Sequence, residues 1–333
     1  MNKAKVICIG EALVDRLGPP GGTIDIDQSF EDCLGGAPAN LACGLAKLGL
    51  KVEFIGCLGN DSTGKKFKEL FLSRGVNITG LQLNDKVPTR IVLVKRDLSG
   101  ERSFAGFFGD KGNGFSDQYL HFKELESICS DLLDDTNWLL LGTLLLASKI
   151  SKETILRLIK NAKYKGIKVA IDLNWRPIFW DESLSPDSLP SKEIIVFIRS
   201  FLKNASLIKL AKEEALYFFD SEDPYEISHF YSHKPDVVIT DGAQPIQWYL
   251  DGFKGLTKVL VPPKVIDTTG AGDSFLAGLV FQMCSKKTES KDHLSYQKIV
   301  RFGAACGALT CTGAGAIEPQ PTVAEVEKFL LSI

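Results

Sequence analysis

Fourteen residues near the C-terminus constrain the fold more than any others: Val265-Ile266-Asp267-Thr268-Thr269-Gly270-Ala271-Gly272-Asp273-Ser274-Phe275-Leu276-Ala277-Gly278. A Pro-flanked extended run passes through two glycines into an apolar segment, Phe275 to Met283, that reads as a buried helix. A glycine-rich turn opening a helix leaves backbone N–H groups unpaired at the positive end of the helix dipole. That is an anion site, and phosphate is the anion most often found there. Asp273 is the informative residue. A carboxylate repels a diphosphate that is merely held, whereas moving a phosphoryl group onto a hydroxyl requires a proton acceptor beside the phosphate donors. Two other readings stay open at this point. Asp273 can be an ordinary first-turn carboxylate favoured by the dipole. The G-x-G can belong to a dinucleotide fingerprint, although the third glycine is missing and the stretch is far from an opening strand-turn-helix unit. No G-x-x-x-x-G-K-[ST] occurs, which argues against a P-loop enzyme.

The rest of the chain sets bounds on that reading. Its 333 residues suffice for one large α/β domain or two smaller ones. Hydrophobic content of 44% with 24% charged residues is globular, and a net charge of −2 without a basic block argues against a nucleic-acid partner. The longest apolar run, Trp138 to Ala147, is interrupted by Gly142 and Thr143 and is too short for a bilayer. Val6 to Gly10 reads as a first strand and not as a signal peptide. The eight cysteines show no C-x-x-C pairing and read as reduced residues of a cytoplasmic protein. His121, His229, His233 and His293 lack metal-like spacing and read as surface residues.

Taken in order, residues 5–10 form a strand, and Asp15 stands just beyond it, where open α/β sheets bind ligands. The segment Leu34 to Gly49 reads as a helix entered through small residues, with Pro38 in its first turn and Gly49 as C′ residue. Asn40 there reads, on its own, as a helix-start hydrogen bonder. A strand at Val52–Leu58 and a helix to about Arg74 follow. Residues 89–95 and 102–108 flank a Leu98-Ser99-Gly100 turn and read as a β-hairpin, a flap over one end of the sheet together with strands from 11–33. Helical patterns cover roughly 117–133, 151–165 and 192–204, and buried strands are expected at 138–142, 167–172, 206–210, 236–240 and 245–250. This alternation implies a mainly parallel sheet with helices on both faces. Asp172, Asn174 and Arg176 follow one such strand. Glu213 and Glu214 follow another, where exposed first-turn acids of the next helix are the simplest reading. A small-residue helix runs from Phe302 to Leu309.

Gly35-Gly36-Ala37-Pro38-Ala39-Asn40-Leu41-Ala42 and Asp267-Thr268-Thr269-Gly270-Ala271-Gly272-Asp273-Ser274-Phe275 together closely resemble the two signatures of the ribokinase-like, phosphofructokinase-B type carbohydrate kinases, in that family's order and spacing. The resemblance runs essentially end to end. Within the family, the stretch around Gly36 to Asn40, Asp172-Leu173-Asn174-x-Arg176 and the closing Gly315-Ala316-Ile317 look most like fructokinases. The fold implied is a doubly wound α/β core (1–10, 34–86 and 110–333) with a small β lid (11–33 and 87–109). The activity implied is transfer of the γ-phosphoryl group of ATP, with Mg²⁺, to a sugar hydroxyl, fructose to fructose 6-phosphate being first choice.

The resemblance also implies roles. Asp15, Gly35, Gly36, Asn40, Asp172, Asn174 and Arg176 would bind the sugar. Asp273 would be the base, with the N–H groups of Gly270, Ala271 and Gly272 around the transferring group. Glu214 would organise Mg²⁺ through water, and Thr240, Gly242 and Thr269 would meet the nucleotide. Asp267 and Thr269, with carbonyls near Thr310, Gly313 and Gly315, resemble a monovalent-cation (K⁺) site. Lid strands often pair between subunits in that family, so a homodimer through the lid is one expectation. The chain departs from the family's pattern at Ala211 and Ala304, where relatives carry Asn. It departs again at Phe107-Phe108-Gly109-Asp110, where fructokinases carry an Arg followed by an Ala-Asp pair. These departures bear on the sugar, because hydrogen-bonding contacts give the large discriminations. Two alternatives therefore stand beside fructokinase: a kinase of the same fold for a nucleoside, inositol or sugar acid, and a catalytically silent regulatory protein.

Overall fold

This computed structural model describes residues 5–21, 30–96, 102–262, 264–285 and 292–333. The described strands are β1 (Lys5–Ile9), β2 (Leu13–Pro20), β3 (Glu31–Gly35), β4 (Lys51–Gly59), β5 (Val76–Asn77), β6 (Leu81–Asn84), β7 (Ile91–Arg96), β8 (Arg102–Phe108), β9 (Thr136–Leu141), β10 (Lys168–Asp172), β11 (Leu207–Ala211), β12 (Asp236–Asp241), β13 (Gln244–Leu250) and β14 (Phe253–Thr257). The helices are α1 (Ala37–Lys47), α2 (Ser62–Ser73), α3 (Phe122–Leu125), α4 (Cys129–Leu133), α5 (Lys149–Tyr164), α6 (Pro177–Trp180), α7 (Lys192–Leu202), α8 (Lys212–Phe219), α9 (Pro224–His229), α10 (Ala271–Ser285), α11 (His293–Thr310) and α12 (Val323–Leu331).

Ten strands form one sheet in the order β14-β13-β12-β11-β10-β9-β1-β4-β5, with β6 also on β4. Every pairing from β12 to β5 is parallel, and β13 and β14 close one edge as an antiparallel meander. The strand sequences explain this. Runs such as Val6-Ile7-Cys8-Ile9 and Leu207-Ile208 have no polar face, as required of strands covered on both sides. Successive residues turn to opposite faces. Val6, Cys8, Trp138, Leu140 and Leu207 enter one core with α1, α10 and α11, while Ile7, Ile9, Leu139, Leu141 and Ile208 enter the other with α5 and α7. No helix among the described residues is long and apolar enough to cross a membrane.

A separate four-stranded sheet, β3-β2-β7-β8, takes the chain out between β1 and α1 and again after residue 90. Its β2 and β7 are parallel, and β3 and β8 flank them antiparallel. Strands at 13–20 and 31–35 thus join the expected hairpin. The Leu98-Ser99-Gly100 turn itself lies outside the described residues.

Three differences from the sequence reading have local causes. The helix expected over 117–133 is a 3₁₀ turn at Ser116–Tyr119 followed by two short helices. Side chains compete for its backbone: Ser151 Oγ accepts from Leu120 N (3.1 Å), Thr154 Oγ1 donates to Leu120 O (2.6 Å), and Gln82 Oε1 accepts from His121 N (2.9 Å). Helix α12 and strands β6 and β14 lack a strong enough periodic signal to be expected. Glu214 is buried, unlike its exposed neighbour Glu213, because its side chain folds back into the protein.

Candidate active site

All the parallel strands end at one edge of the sheet, and the tip of α10 lies there too. Asp267 shapes that tip. Its Oδ1 accepts from Thr269 N (3.0 Å) and Thr269 Oγ1 (2.6 Å), and its Oδ2 accepts from Gly315 N (2.9 Å). Ile266 N donates to Cys311 O (2.8 Å), so the turn before α10 and the turn after α11 are tied together. At Gly270 the backbone is left-handed (φ 75°), and a Cβ would lie 2.5 Å from Ala316 Cβ, so only glycine fits. The first bond of the helix runs from Ser274 N to Gly270 O (2.9 Å). Ala271 N donates to Thr268 O (3.2 Å) and so belongs to the turn. The N–H groups of Gly270, Gly272 and Asp273 have no acceptor among the described residues. The open N–H groups at this tip therefore include Asp273 N, while Ala271 N is taken up by the turn. Thr310 is buried at the end of α11, its carbonyl accepting from Gly313 N (3.5 Å), beside the Asp267–Gly315 tie.

Asn40 and Asp273, 233 residues apart, meet directly: Asn40 Nδ2 donates to Asp273 Oδ2 at 2.8 Å. Helix α1 is aimed there by Gly36, left-handed at its N-cap (φ 100°) and too close to Glu11 O for any side chain. Gln320 Nε2 secures the helix from behind by donating to Asn40 O (2.8 Å). A Cβ at Gly35 would stand 3.8 Å from both Asn40 Oδ1 and Asp15 Oδ2. Asp15, Gly35, Asn40 and Asp273 thus border one space. Asn40 Oδ1 and Asp172 Oδ1 are buried without a partner among the described residues, the usual mark of a site completed by a ligand or water.

Burial pushes the Asp273 carboxyl up to about 6, helped by the Asp172 charge and opposed by the Asn40 amide, Lys209 and Arg176. It is charged at neutral pH yet able to take a proton. Lys209 and Glu11 are the members that sequence reasoning missed. Lys209 Nζ donates to Asp172 Oδ2 (2.7 Å). Burial alone would depress its ammonium, but Asp172, Asp273 and Glu214 outweigh that and hold it above its ordinary value. A lysine inside Leu207-Ile208-Lys209-Leu210 was the available signal, since a buried charge needs a partner. Glu11, two residues past the end of β1, is buried and leaves Oε2 unpartnered among the described residues. Burial and the Asp117 and Asp273 charges push it up to about 8.

On the other side of Asp172, Asn174 is left-handed (φ 45°) and turns the chain so that Trp175 N donates to Glu214 Oε1 (2.6 Å). Glu214 Oε2 accepts from Ala211 N (2.7 Å), the backbone half of a capping box at the start of α8. Burial and the Asp172 charge raise the Glu214 carboxyl. Arg176 is exposed. Thr240, at the end of β12, lies beside Ala211 in register, and Gly242 (φ 50°) turns the chain into β13. Ala304 is buried within α11.

The chain matches the family model for "pfkB family carbohydrate kinase" over residues 3–323. It belongs to that family. Curated relatives of this kinase include a probable chloroplastic fructokinase-6 and a probable fructokinase-7 of Arabidopsis thaliana, each 30% identical. The alignments cover 98% of the kinase chain and 82% of the first relative, and 99% and 94% for the second. Among solved structures, the ATP-bound fructokinase of Xylella fastidiosa superposes with a TM-score of 0.84 at 27% identity, over 99% of each chain. The fructokinase of Vibrio cholerae O395 in its fructose, ADP and calcium ion bound form gives 0.80 at 26%, over 99% of the kinase chain and all of its counterpart. The ribokinase-like fold is thereby shown, a mostly parallel central sheet flanked by helices.

Proposed function

We propose that this kinase phosphorylates fructose from ATP, giving fructose 6-phosphate and ADP, with Asp273 as the base. The observation that carries the assignment of Asp273 is its bond to Asn40, which brings both family signatures onto one carboxylate beside open main-chain donors. The acceptor hydroxyl would lie against Asp273 Oδ, with Asn40, Asp15 and the space left by Gly35 around the sugar. Its oxygen attacks the γ-phosphorus as the bond to the β–γ bridging oxygen breaks. The hydroxyl proton passes to Asp273 and ADP leaves. The N–H groups at Gly270, Gly272 and Asp273 would steady the charge that builds on the transferring group. Closure of the small sheet as a lid would keep water, a competing acceptor, out of the site.

Mg²⁺ suits this donor set only through water. No three His, Cys, Asp or Glu side chains converge among the described residues, and each Glu214 oxygen already accepts one N–H. An ion held only through water would supply neutralisation of the nucleotide's phosphate charge. Glu214 would orient those waters. Thr240 and Gly242 would flank the nucleotide, and the Asp267, Thr310 and Gly315 region would take K⁺. A Vibrio cholerae fructokinase double mutant has been solved with fructose, ADP and potassium ion bound. A panel of sugars, nucleosides, inositol and sugar acids in an ADP-release assay tests the reading. Fructose should turn over best, and no turnover with any acceptor would leave the silent regulatory protein as the better account.

A further inference from the structure

The small sheet carries a register row that runs Cys33, Asp15, Val92, Phe107 across its four strands. Directly paired residues share a face. The face holding Asp15, toward Gly35 and Asn40, therefore also holds Phe107, and Arg90, two residues before Val92, lies below it. Arg90 is almost wholly buried. Its Nε and Nη2 donate to both oxygens of Asp117 (2.7 and 2.8 Å). Its guanidinium carbon is 4.4 Å from the ring centre of Phe115 and 4.9 Å from those of Phe107 and Phe179. Phe107 comes from β8, Phe115 from the loop before the 3₁₀ turn, and Phe179 from α6, just after Arg176. Small sheet and core thus touch through one boxed cation. Nη1 makes no bond to the described residues and is not sealed from solvent. The charges of both Asp117 and Asp273 act on the buried Glu11 carboxyl and raise it.

We propose that Arg90 is a specificity-determining residue, offering Nη1 to the acceptor hydroxyl remote from the one that is phosphorylated. This rests on the sugar-kinase reading above and narrows its substrate class. Asp117 already neutralises the guanidinium, so the box suits a neutral polyhydroxy sugar, its C–H face on Phe107, and not a sugar acid. A guanidinium fork fixed on two sides and flanked by rings has no freedom to adapt, which favours one hydroxyl position over others. The charged lid contact that Phe107-Phe108 lacks is thereby supplied from the start of the neighbouring strand.

The test compares binding of D-fructose and 1-deoxy-D-fructose by calorimetry to the wild-type protein and to Arg90→Met/Asp117→Leu, which removes both charges together so that neither is left buried alone. The wild type should prefer fructose by about 10-fold or more, as expected for a hydrogen bond to a charged donor. The folded double variant should bind both sugars alike. Preference kept in that variant, or absent from the wild type, overturns the assignment. If the double variant does not fold, Arg90→Lys keeps a cation beside Asp117 without the fork, and undiminished preference there overturns it equally. ADP release, measured separately, keeps the two readings apart. Lost preference without ADP release from the wild type would sink the kinase reading and retain Arg90, whereas ADP release with preference intact would sink Arg90 alone. A wild type that binds neither sugar sinks both.

Discussion

The tip of α10 and the inner face of the small sheet border the same space and are built in opposite ways. At the tip, the functional groups are main-chain donors, locked by Asp267, a left-handed Gly270 and a helix partner at van der Waals distance. On the sheet they are side chains, Asp15, Phe107 and Arg90, set by register and by one ion pair. Main-chain donors cannot be exchanged by point mutation, whereas side chains can. On the reading proposed above, transition-state stabilisation, common to every acceptor, would sit on the fixed part and acceptor recognition on the variable one.

Substitutions can break or sharpen that contrast. Asp273→Asn should reduce kcat by about 1000-fold, within the range for losing a general base, with little change in sugar KM; steady-state kinetics at saturating ATP measures it, and a near-normal kcat would remove Asp273 from the chemistry. Gly270→Ala forces a side chain against Ala316 and should lower kcat about 100-fold, the scale of an ångström-size misplacement, equally for every acceptor. A loss confined to one sugar would contradict a shared cradle.

Smaller effects test electrostatics and the sheet. The acid limb of kcat/KM should fall near pH 6, because Asp273 must be charged to accept the proton. Asn40→Ala removes a donor that favours the charged form, so the limb should move to higher pH, by about a unit; a limb that stays put would detach Asn40 from the base. Phe107→Leu should raise acceptor KM about 3- to 10-fold while ATP KM and kcat hold, and an equal rise in ATP KM would place Phe107 elsewhere. Glu11 acts on stability and not on turnover. Its folded value of about 8 exceeds the ordinary 4.5, so it stabilises the fold fully below pH 4.5 and loses that contribution as pH rises through 8. Relative to Glu11→Gln, the wild-type melting temperature should sag between pH 5 and 8.5, and parallel curves would show a carboxyl that titrates normally.

The same contrast decides what the sequence could reveal. Gly270, Gly272 and Asp273 are contiguous and have a physical meaning as a string, so the chemistry was legible. Gly36 and Asn40 gained theirs only beside that string, as a pair of family signatures. Strands β1, β4 and β9 to β12 were legible because burial on both faces leaves unbroken apolar runs. Arg90 and Asp117 were not, since an ion pair 27 residues apart in two irregular segments has no periodicity to betray it. Nor was the break at Leu120, where the competing hydrogen bonds come from Gln82, Ser151 and Thr154. Ala271 illustrates a finer limit: the motif places its N–H in the donor ring, yet the turn consumes it.

Helices α10 and α11 approach so closely that a Cβ at Gly303 or Gly307 would lie 2.8 and 2.9 Å from carbonyl oxygens of Phe275 and Ala271. Such a seam has no slack, so the first turns of α10 are fixed against α11. Any drift of this scaffold toward a new acceptor must then be written in β2, β7 and β8, where a mutation can reshape recognition without touching the machinery beneath.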